Sequence, residues 1–240
     1  MEGSNKNGPS ADKIQNIFSD VASSYDKANN AMTFGLAHLW RKKVVKLSGT
    51  PKNGSVLDCA TGTGDLAIEF KKHLGPQSKV VGIDFCKEML DFAPQKARNK
   101  KLDIDFKIGD VLALDFKDAT FDTVTIAYGI RNVENTVKGL QEMWRTVKPG
   151  GKLLILETGE GSGIFSLPIK FYTKFIVPIL GGFISKKKHA YSYLSSSSQA
   201  FPSKDKFIAL TNNLPNVQST TSRTLLFGAS YIYTVSKKAL

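Results

Sequence analysis

The chain has little cysteine, little arginine and no long unbroken apolar run, and each shortage removes a class of protein. Two cysteines in 240 residues, Cys59 and Cys86, exclude a disulfide scaffold and a cysteine-rich zinc site. Reduced cytoplasm is the simplest compartment. No spacing of histidine, cysteine and carboxylate resembles a metal site, so no metal is expected. The most apolar stretch, Phe171 to Ile184, is interrupted by Lys174, Pro178 and Gly181-Gly182. It reads as too short and too broken for a transmembrane helix, which needs roughly 20 apolar residues. The opening MEGSNKNGPS has neither the apolar centre of a signal peptide nor the arginines of an organelle presequence, so residues 1–10 read as a disordered leader. Arginine, with its planar fork, is the favoured reader of bases and phosphates, and its scarcity among 33 basic residues argues against a nucleic-acid partner. The formal charge of +12 still favours anions of some kind, and charge alone does not choose among them.

What is present suffices for one folded domain over residues 11–240. Hydrophobic residues make up 41% and charged residues 22%. Ile14, Ile17, Phe18 and Val21 share one helical face, and residues 11–49 read as a helical cap. From Ser55 the pattern becomes regular. Strands are expected at Ser55 to Cys59, Lys79 to Asp84, Asp103 to Ile108, Phe121 to Ala127 and Lys152 to Glu157. Helices are expected near Asp65 to Leu74, Lys87 to Arg98 and Thr136 to Val147, the last closed by a turn at Lys148 to Gly151. Strands alternating with helices imply crossover units and a mainly parallel sheet, hence an α/β fold. The period breaks at Thr158, and residues 159–200 read as an insertion in which Ser195 to Ser198 form a loop. A helix through Leu210 follows, then strands around Val217 to Thr224 and Ala229 to Ser236. With no last crossover helix between them, these two suit an antiparallel hairpin at one edge.

The turn Asp58-Cys59-Ala60-Thr61-Gly62-Thr63-Gly64-Asp65 joins the first strand to the first crossover helix. Its glycines let the backbone turn tightly and approach a ligand. In an open sheet this is the crevice at the carboxyl ends of the strands. Gly62-x-Gly64-x-x-Ala67 loosely matches the dinucleotide fingerprint, and Asp84 ends the next strand where a ribose-binding carboxylate belongs. A nicotinamide-dependent oxidoreductase is therefore one reading. Against it, Asp58 and Asp65 surround a spot that should welcome pyrophosphate, and a second acidic strand end follows at Asp110. Two acidic strand ends suit a nucleoside with a cationic arm, as in S-adenosylmethionine. Asp84 would accept from the ribose hydroxyls and Asp110 from the adenine amino group. The plainer reading makes Asp65 a helix cap and Asp110 a turn residue.

Several segments together resemble the ubiquinone/menaquinone-biosynthesis C-methyltransferases, within the class I S-adenosylmethionine-dependent methyltransferases. They are FSDVASSYDKANNAMTFG at 18–35, VLDCATGTGDLA at 56–67, GIDFCKEML at 82–90, FDTVTIAYGIRNVEN at 121–135 and EMWRTVKPGGKLLILE at 142–157. YSYLSSSSQAFP at 191–202 continues the likeness more weakly. The resemblance implies a Rossmann-like, seven-stranded, mostly parallel sheet with an antiparallel edge strand. It also implies methyl transfer to a ring carbon of a prenylated quinol, demethylmenaquinol or a 2-methoxy-6-prenyl-benzoquinol. Cofactor contacts fall on Gly62, Thr63, Gly64, Asp84, Asp110 and Val111. The chain departs from the family pattern after Glu157, where Thr158-Gly159 replaces Phe-Ser, and at Ser196, where glutamate is usual. A methyltransferase for another small aromatic or lipid acceptor is the alternative.

A quinol carbon is a weak nucleophile until a neighbouring hydroxyl, with a pKa of about 10, loses its proton. Arg131 and Asn132, after the fourth strand, are the expected catalytic pair: one favours the phenolate, the other orients a water or a quinol oxygen. Tyr25 and Asp26 are expected to fold over the pocket, Asp26 as a proton acceptor. Asn29, Tyr128 and Tyr193 are the expected substrate contacts. A salt bridge is the plainer role for Arg131, and packing for Tyr25. The apolar insertion, closed by Lys186-Lys187-Lys188, is expected to make a transient contact with an anionic membrane at its inner face. An internal lid or a homodimer face is the plainer reading.

Overall fold

The computed structural model describes residues 8–202 and 204–239. Three helices come first: α1 (Ala11–Val21), α2 (Tyr25–Met32) and α3 (Leu36–Ser48). An alternating run follows: β1 (Ser55–Cys59), α4 (Asp65–Leu74), β2 (Lys79–Asp84), α5 (Lys87–Leu90), α6 (Phe92–Asn99), β3 (Asp105–Ile108), β4 (Phe121–Ala127), α7 (Thr136–Thr146) and β5 (Val147–Thr158). The insertion forms α8 (Ser166–Phe171), α9 (Val177–Ser185) and α10 (Lys188–Ala200). The chain then adds α11 (Lys204–Asn212), β6 (Val217–Leu225) and β7 (Ser230–Lys237).

The strands make one sheet in the order β3-β2-β1-β4-β5-β7-β6. The first five are parallel, and β7 runs antiparallel to both β5 and β6. The antiparallel strand thus lies one place in from the edge, because the tail hairpin pairs through its second strand. Both faces are covered, as a parallel sheet requires. Alternate residues supply the two sides: Leu57, Leu153 and Ile155 pack with Trp144 and Phe207, while Val56, Leu154 and Leu156 pack with Phe70, Val44 and Trp40. Chain order reverses on either side of β1, so the crevice opens at the carboxyl ends of β1 and β4. Over that crevice the cap and the insertion meet. Ile17, Val21, Ala28 and Met32 pack against Ala190 and Tyr191, with Val177, Leu180 and Ile184 alongside.

Several sequence expectations are corrected. Residues 1–7 of the expected leader lie outside the described residues, and Gly8 is tied down, its N–H donating to the Glu134 carbonyl at 3.0 Å. The expected helix at Lys87 to Arg98 breaks at Asp91, because Pro94 has no N–H to give to the carbonyl of Leu90. Lys148 to Gly151 belong to β5 as an irregular stretch, where the register with β4 shifts between Phe121 and Thr123. Ser195 to Ser198 are helical, inside α10. Ser196 and Ser197 turn their hydroxyls back onto the carbonyls of Tyr193 and Leu194, so they do not compete with the helix.

The largest correction concerns the apolar insertion. Gly163–Ser185 form a continuous helical run of 23 residues, long and apolar enough by length and composition to cross a membrane. A π-helical turn at Tyr172–Ile176 lies just upstream of Pro178 and accommodates the break in the hydrogen-bond ladder that proline forces.

Candidate active site

The glycine turn is built around two buried carboxylates. Asp58, at the end region of β1, accepts from Thr61 Oγ1 at 2.6 Å and from the Ala67 N–H at 3.1 Å. Burial pushes its pKa up to about 7 against these bonds. Asp84, at the end of β2, accepts from the Gly62 N–H at 2.7 Å and the Cys86 N–H at 2.9 Å. Burial again dominates and raises it to about 6. Gly62 holds φ +57°, which lets its N–H reach Asp84 across the turn.

A cavity of about 130 Å³ lies beside this turn. Gly62, Asp84, Asp110, Val111 and Asn132 line it, with Phe85, Met89 and Leu112 as apolar walls. Asp110 is exposed and accepts from the Leu112 N–H at 2.8 Å, which steadies the loop after β3. A nucleoside fits this set. Apolar walls suit a flat base, and a fixed carboxylate, each of whose oxygens has two lone pairs, suits a ribose diol.

A second cavity, of about 290 Å³, adjoins it under the cap and insertion. Asn29, Arg41, Arg131, Thr158, Ser195 and Ser198 supply its polar groups. Tyr25 and Tyr128 line both cavities. Burial raises the pKa of both phenols. Tyr128 stands at φ +56°, and its hydroxyl lies 3.2 Å from Ser230 Oγ. The two rings therefore form the partition through which the cavities meet.

Arg131 stands at this partition on a single 3-10 turn, Ile130–Asn132, anchored by the buried Ile130. Its Nη1 donates to the Tyr128 carbonyl at 2.8 Å and to Glu157 Oε1. Glu157 is fully buried, and its Oε1 also accepts from the Thr158 N–H at 2.7 Å. Thr158 Oγ1 accepts in turn from Ser198 Oγ at 2.8 Å. Asn132 accepts from the Tyr193 hydroxyl at 3.0 Å and donates to the Tyr128 carbonyl at 3.3 Å.

Other expected residues lie elsewhere. Asp26, expected as a proton acceptor over the pocket, lines neither cavity and is tied to Lys96 at 2.6 Å and to Thr63 Oγ1 at 2.7 Å. Thr63 thus points to the cap rather than into the smaller cavity. Gly64 also lines neither: a Cβ there would come within 2.8 Å of Ala93 Cβ, so its small size serves packing against α6. Tyr193 reaches the site only through Asn132. Sequence reasoning missed Glu157 as the partner of Arg131, and the hydroxyls of Thr158, Ser195 and Ser198. A carboxylate at the end of β5, in the same row of strand ends as Asp84, was the signal available for Glu157.

The family model for the ubiE/COQ5 methyltransferase family matches residues 6–235. The chain belongs to that family. It is 47% identical over 226 residues to the ubiquinone/menaquinone biosynthesis C-methyltransferase UbiE of Bdellovibrio bacteriovorus, covering 94% of this chain and 96% of that protein. It is 43% identical over 192 residues to the demethylmenaquinone methyltransferase of Deinococcus radiodurans, covering 79% of this chain and 78% of that one. Among solved structures, a SAM-dependent methyltransferase from Thermotoga maritima superimposes with a TM-score of 0.66 at 18% identity, covering 93% of this chain and 99% of its own. One from Aquifex aeolicus gives 0.61 at 19% identity, covering 88% and 96%. These neighbours share the fold. Membership of a methyltransferase family sets aside the nicotinamide-dependent oxidoreductase.

Proposed function

We infer that this enzyme methylates a ring carbon of a prenylated quinol, demethylmenaquinol or a 2-methoxy-6-prenyl-benzoquinol, with S-adenosylmethionine as donor. The reading rests on one observation above the rest: two cavities share a partition of Tyr25 and Tyr128, with the carboxylates of Asp84 and Asp110 on one side and the buried Arg131 on the other. Both relatives described above carry names from quinone biosynthesis.

Asp84, Asp110, Gly62 and Val111 would hold the nucleoside of the donor, which supplies an electrophilic methyl on a sulfonium. The chain's own task is to hold a quinol carbon against that methyl, because positioning removes much of such a barrier. Arg131 donates to the ring oxygen as it becomes phenolate and so favours the ionised, nucleophilic form. It is no base at neutral pH, so the proton leaves to water, while Asn132, holding the Tyr193 hydroxyl and the Tyr128 carbonyl, steadies the partition from the donor side. Glu157 fixes the guanidinium and offsets the cost of burying its charge. The Thr158 and Ser198 hydroxyls add a polar corner for a second ring oxygen. On this reading the enzyme works on the cytoplasmic side of the membrane that carries the quinol.

Mass spectrometry after incubation with the donor and each demethylated quinol tests the proposal. A product heavier by one methylene, lost in Arg131→Ala, is expected. No methylated product from either quinol would overturn it.

A further inference from the structure

The Gly163–Ser185 helical run leaves much of its apolar surface uncovered. Ile164, Leu167 and Phe183 are 85%, 79% and 88% exposed. Phe171, Phe175 and Ile179 lie between them at spacings of four, which aligns exposed groups along one side. Single exposed apolar side chains are ordinary, but a continuous stripe marks an interaction surface.

The stripe joins the mouth of the larger cavity. Phe34 lies against Tyr172, ring centres 6.0 Å apart, and Phe165 stacks on Phe227 at 4.0 Å. Phe34 and Leu226 are exposed and also line the larger cavity, as do Ile169 and Tyr172 of the helix. Leu226 and Phe227 hold φ of +39° and +53°, a strained conformation for bulky L residues that holds two apolar side chains outward on the β6–β7 turn.

Charge selects the occupant. No aspartate or glutamate occurs between Glu160 and Asp205, while six lysines do. Lys204 lies beyond the run, on α11, and is paired with Asp205; Lys170 and Lys187 are paired with Glu160 and Asp20, while Lys174, its ammonium 5.4 Å from the Phe175 ring centre, and Lys186 are exposed. Even with Glu160 and Asp20 counted, the lysines from Lys170 to Lys188 leave a positive excess, so a second copy seated face to face on this stripe would set like charge against like, which disfavours a two-fold contact. An anionic surface suits it. The cavity of about 290 Å³ is at the small end for ligand pockets, so it admits a ring while a long prenyl tail must leave by the mouth.

We propose that this apolar rim docks on an anionic lipid surface, the stripe lying in the interface and Lys174 and Lys186 at the head groups. A prenyl tail then passes from bilayer to cavity without crossing water. The tail's part in this rests on the quinol reading; the docking does not.

Flotation of the full chain with phosphatidylcholine vesicles, with and without phosphatidylglycerol, tests it. The variant Ile164→Asp/Leu167→Asp/Phe183→Asp changes residues that line neither cavity. Its fold is checked by circular dichroism. The wild type should float with phosphatidylglycerol vesicles, and attachment should fall at least about tenfold without that lipid or in high salt. The variant should lose attachment by a similar factor. It should methylate a vesicle-borne long-chain quinol correspondingly slowly, yet turn over a short, water-soluble quinol at the wild-type rate. Equal flotation of wild type and variant, or none by the wild type, would overturn the docking. So would attachment resistant to alkaline carbonate, which marks a spanning helix, or a dimer that the three substitutions dissociate. Flotation lost in the variant, with neither quinol methylated by the wild type, would overturn the quinol reading and support the docking.

Discussion

The two cavities are built by different means. The smaller is set by backbone: Asp84 is held by two peptide N–H groups, and Asp110 by a third. The larger is set by side chains from the cap, the insertion and the ends of β4 and β5, among them Asn29, Arg131, Thr158 and Ser198. Backbone bonds survive most substitutions, so the smaller cavity tolerates drift around it. Side-chain bonds do not, and the departures from the family pattern at Thr158 and in the Ser195–Ser198 run fall at or beside the larger cavity. A donor site can stay constant while the acceptor site adapts to its quinol.

The sharpest test of this contrast is the buried pair. Glu157→Gln leaves the Arg131 charge without its counter-ion and should cost about 3–5 kcal/mol of stability, read from the urea midpoint. Joint replacement by Glu157→Gln and Arg131→Met should recover part of that loss. No destabilisation by the single change would mean the pair is not the anchor of the larger cavity.

Arg131→Ala should lower turnover by a factor on the order of 100 or more while donor affinity stays within about threefold. Single-turnover kinetics and calorimetry separate the two. Equal losses in both would join the cavities into one functional unit.

On the backbone-built side, Asp84→Ala should weaken donor binding at least about tenfold, since a charge-assisted bond contributes roughly 1.5–3 kcal/mol. Its pH dependence has a definite sign. The pKa of Asp84 without donor is raised to about 6, and ribose hydroxyls donate to the ionised form. Affinity should therefore be full above that pH and fall about tenfold for each unit below it. Calorimetry from pH 7.5 down to 5 should show that slope, absent in Asp84→Asn. A flat profile in the wild type would remove Asp84 from the donor site. The same shift acts on the fold with opposite sense. A raised carboxylate pKa contributes stability present below the ordinary aspartate value and lost as pH rises through about 6.

The smallest effect is expected at the hydroxyl corner. Ser198→Ala removes one bond to Thr158 and should cost about 1 kcal/mol or less, seen as a change of a few fold in KM for the quinol with turnover unchanged. A large loss of turnover would give that corner a part in the chemistry.

Legibility followed the same division. β1, β2 and β4 were readable to the residue because each is a short apolar run bounded by turn signals. Asp84 and Asp110 were readable because strand ends in a parallel sheet converge on one crevice. Arg131 was readable from its place after β4, but its partner was not: Glu157 lies 26 residues away, and only strand pairing brings the ends of β4 and β5 together. Asp26 misled for a related reason. Its position on a cap helix allows it to face the pocket, and a lysine on α6 decides that it does not.

Local sequence sufficed for the alternation of strand and helix, for the glycine turn with its acidic companions, and for the apolar character of the insertion, which carries no acid after Glu160. These are local properties, set by periodicity, backbone freedom and composition. Tertiary structure alone decided that the serine run would be helical, that Tyr25 and Tyr128 would share one partition, and that the insertion would leave its apolar stripe outward. Each of those depends on which side chains meet across long stretches of chain, and such meetings are fixed only when the cap and insertion pack over the sheet.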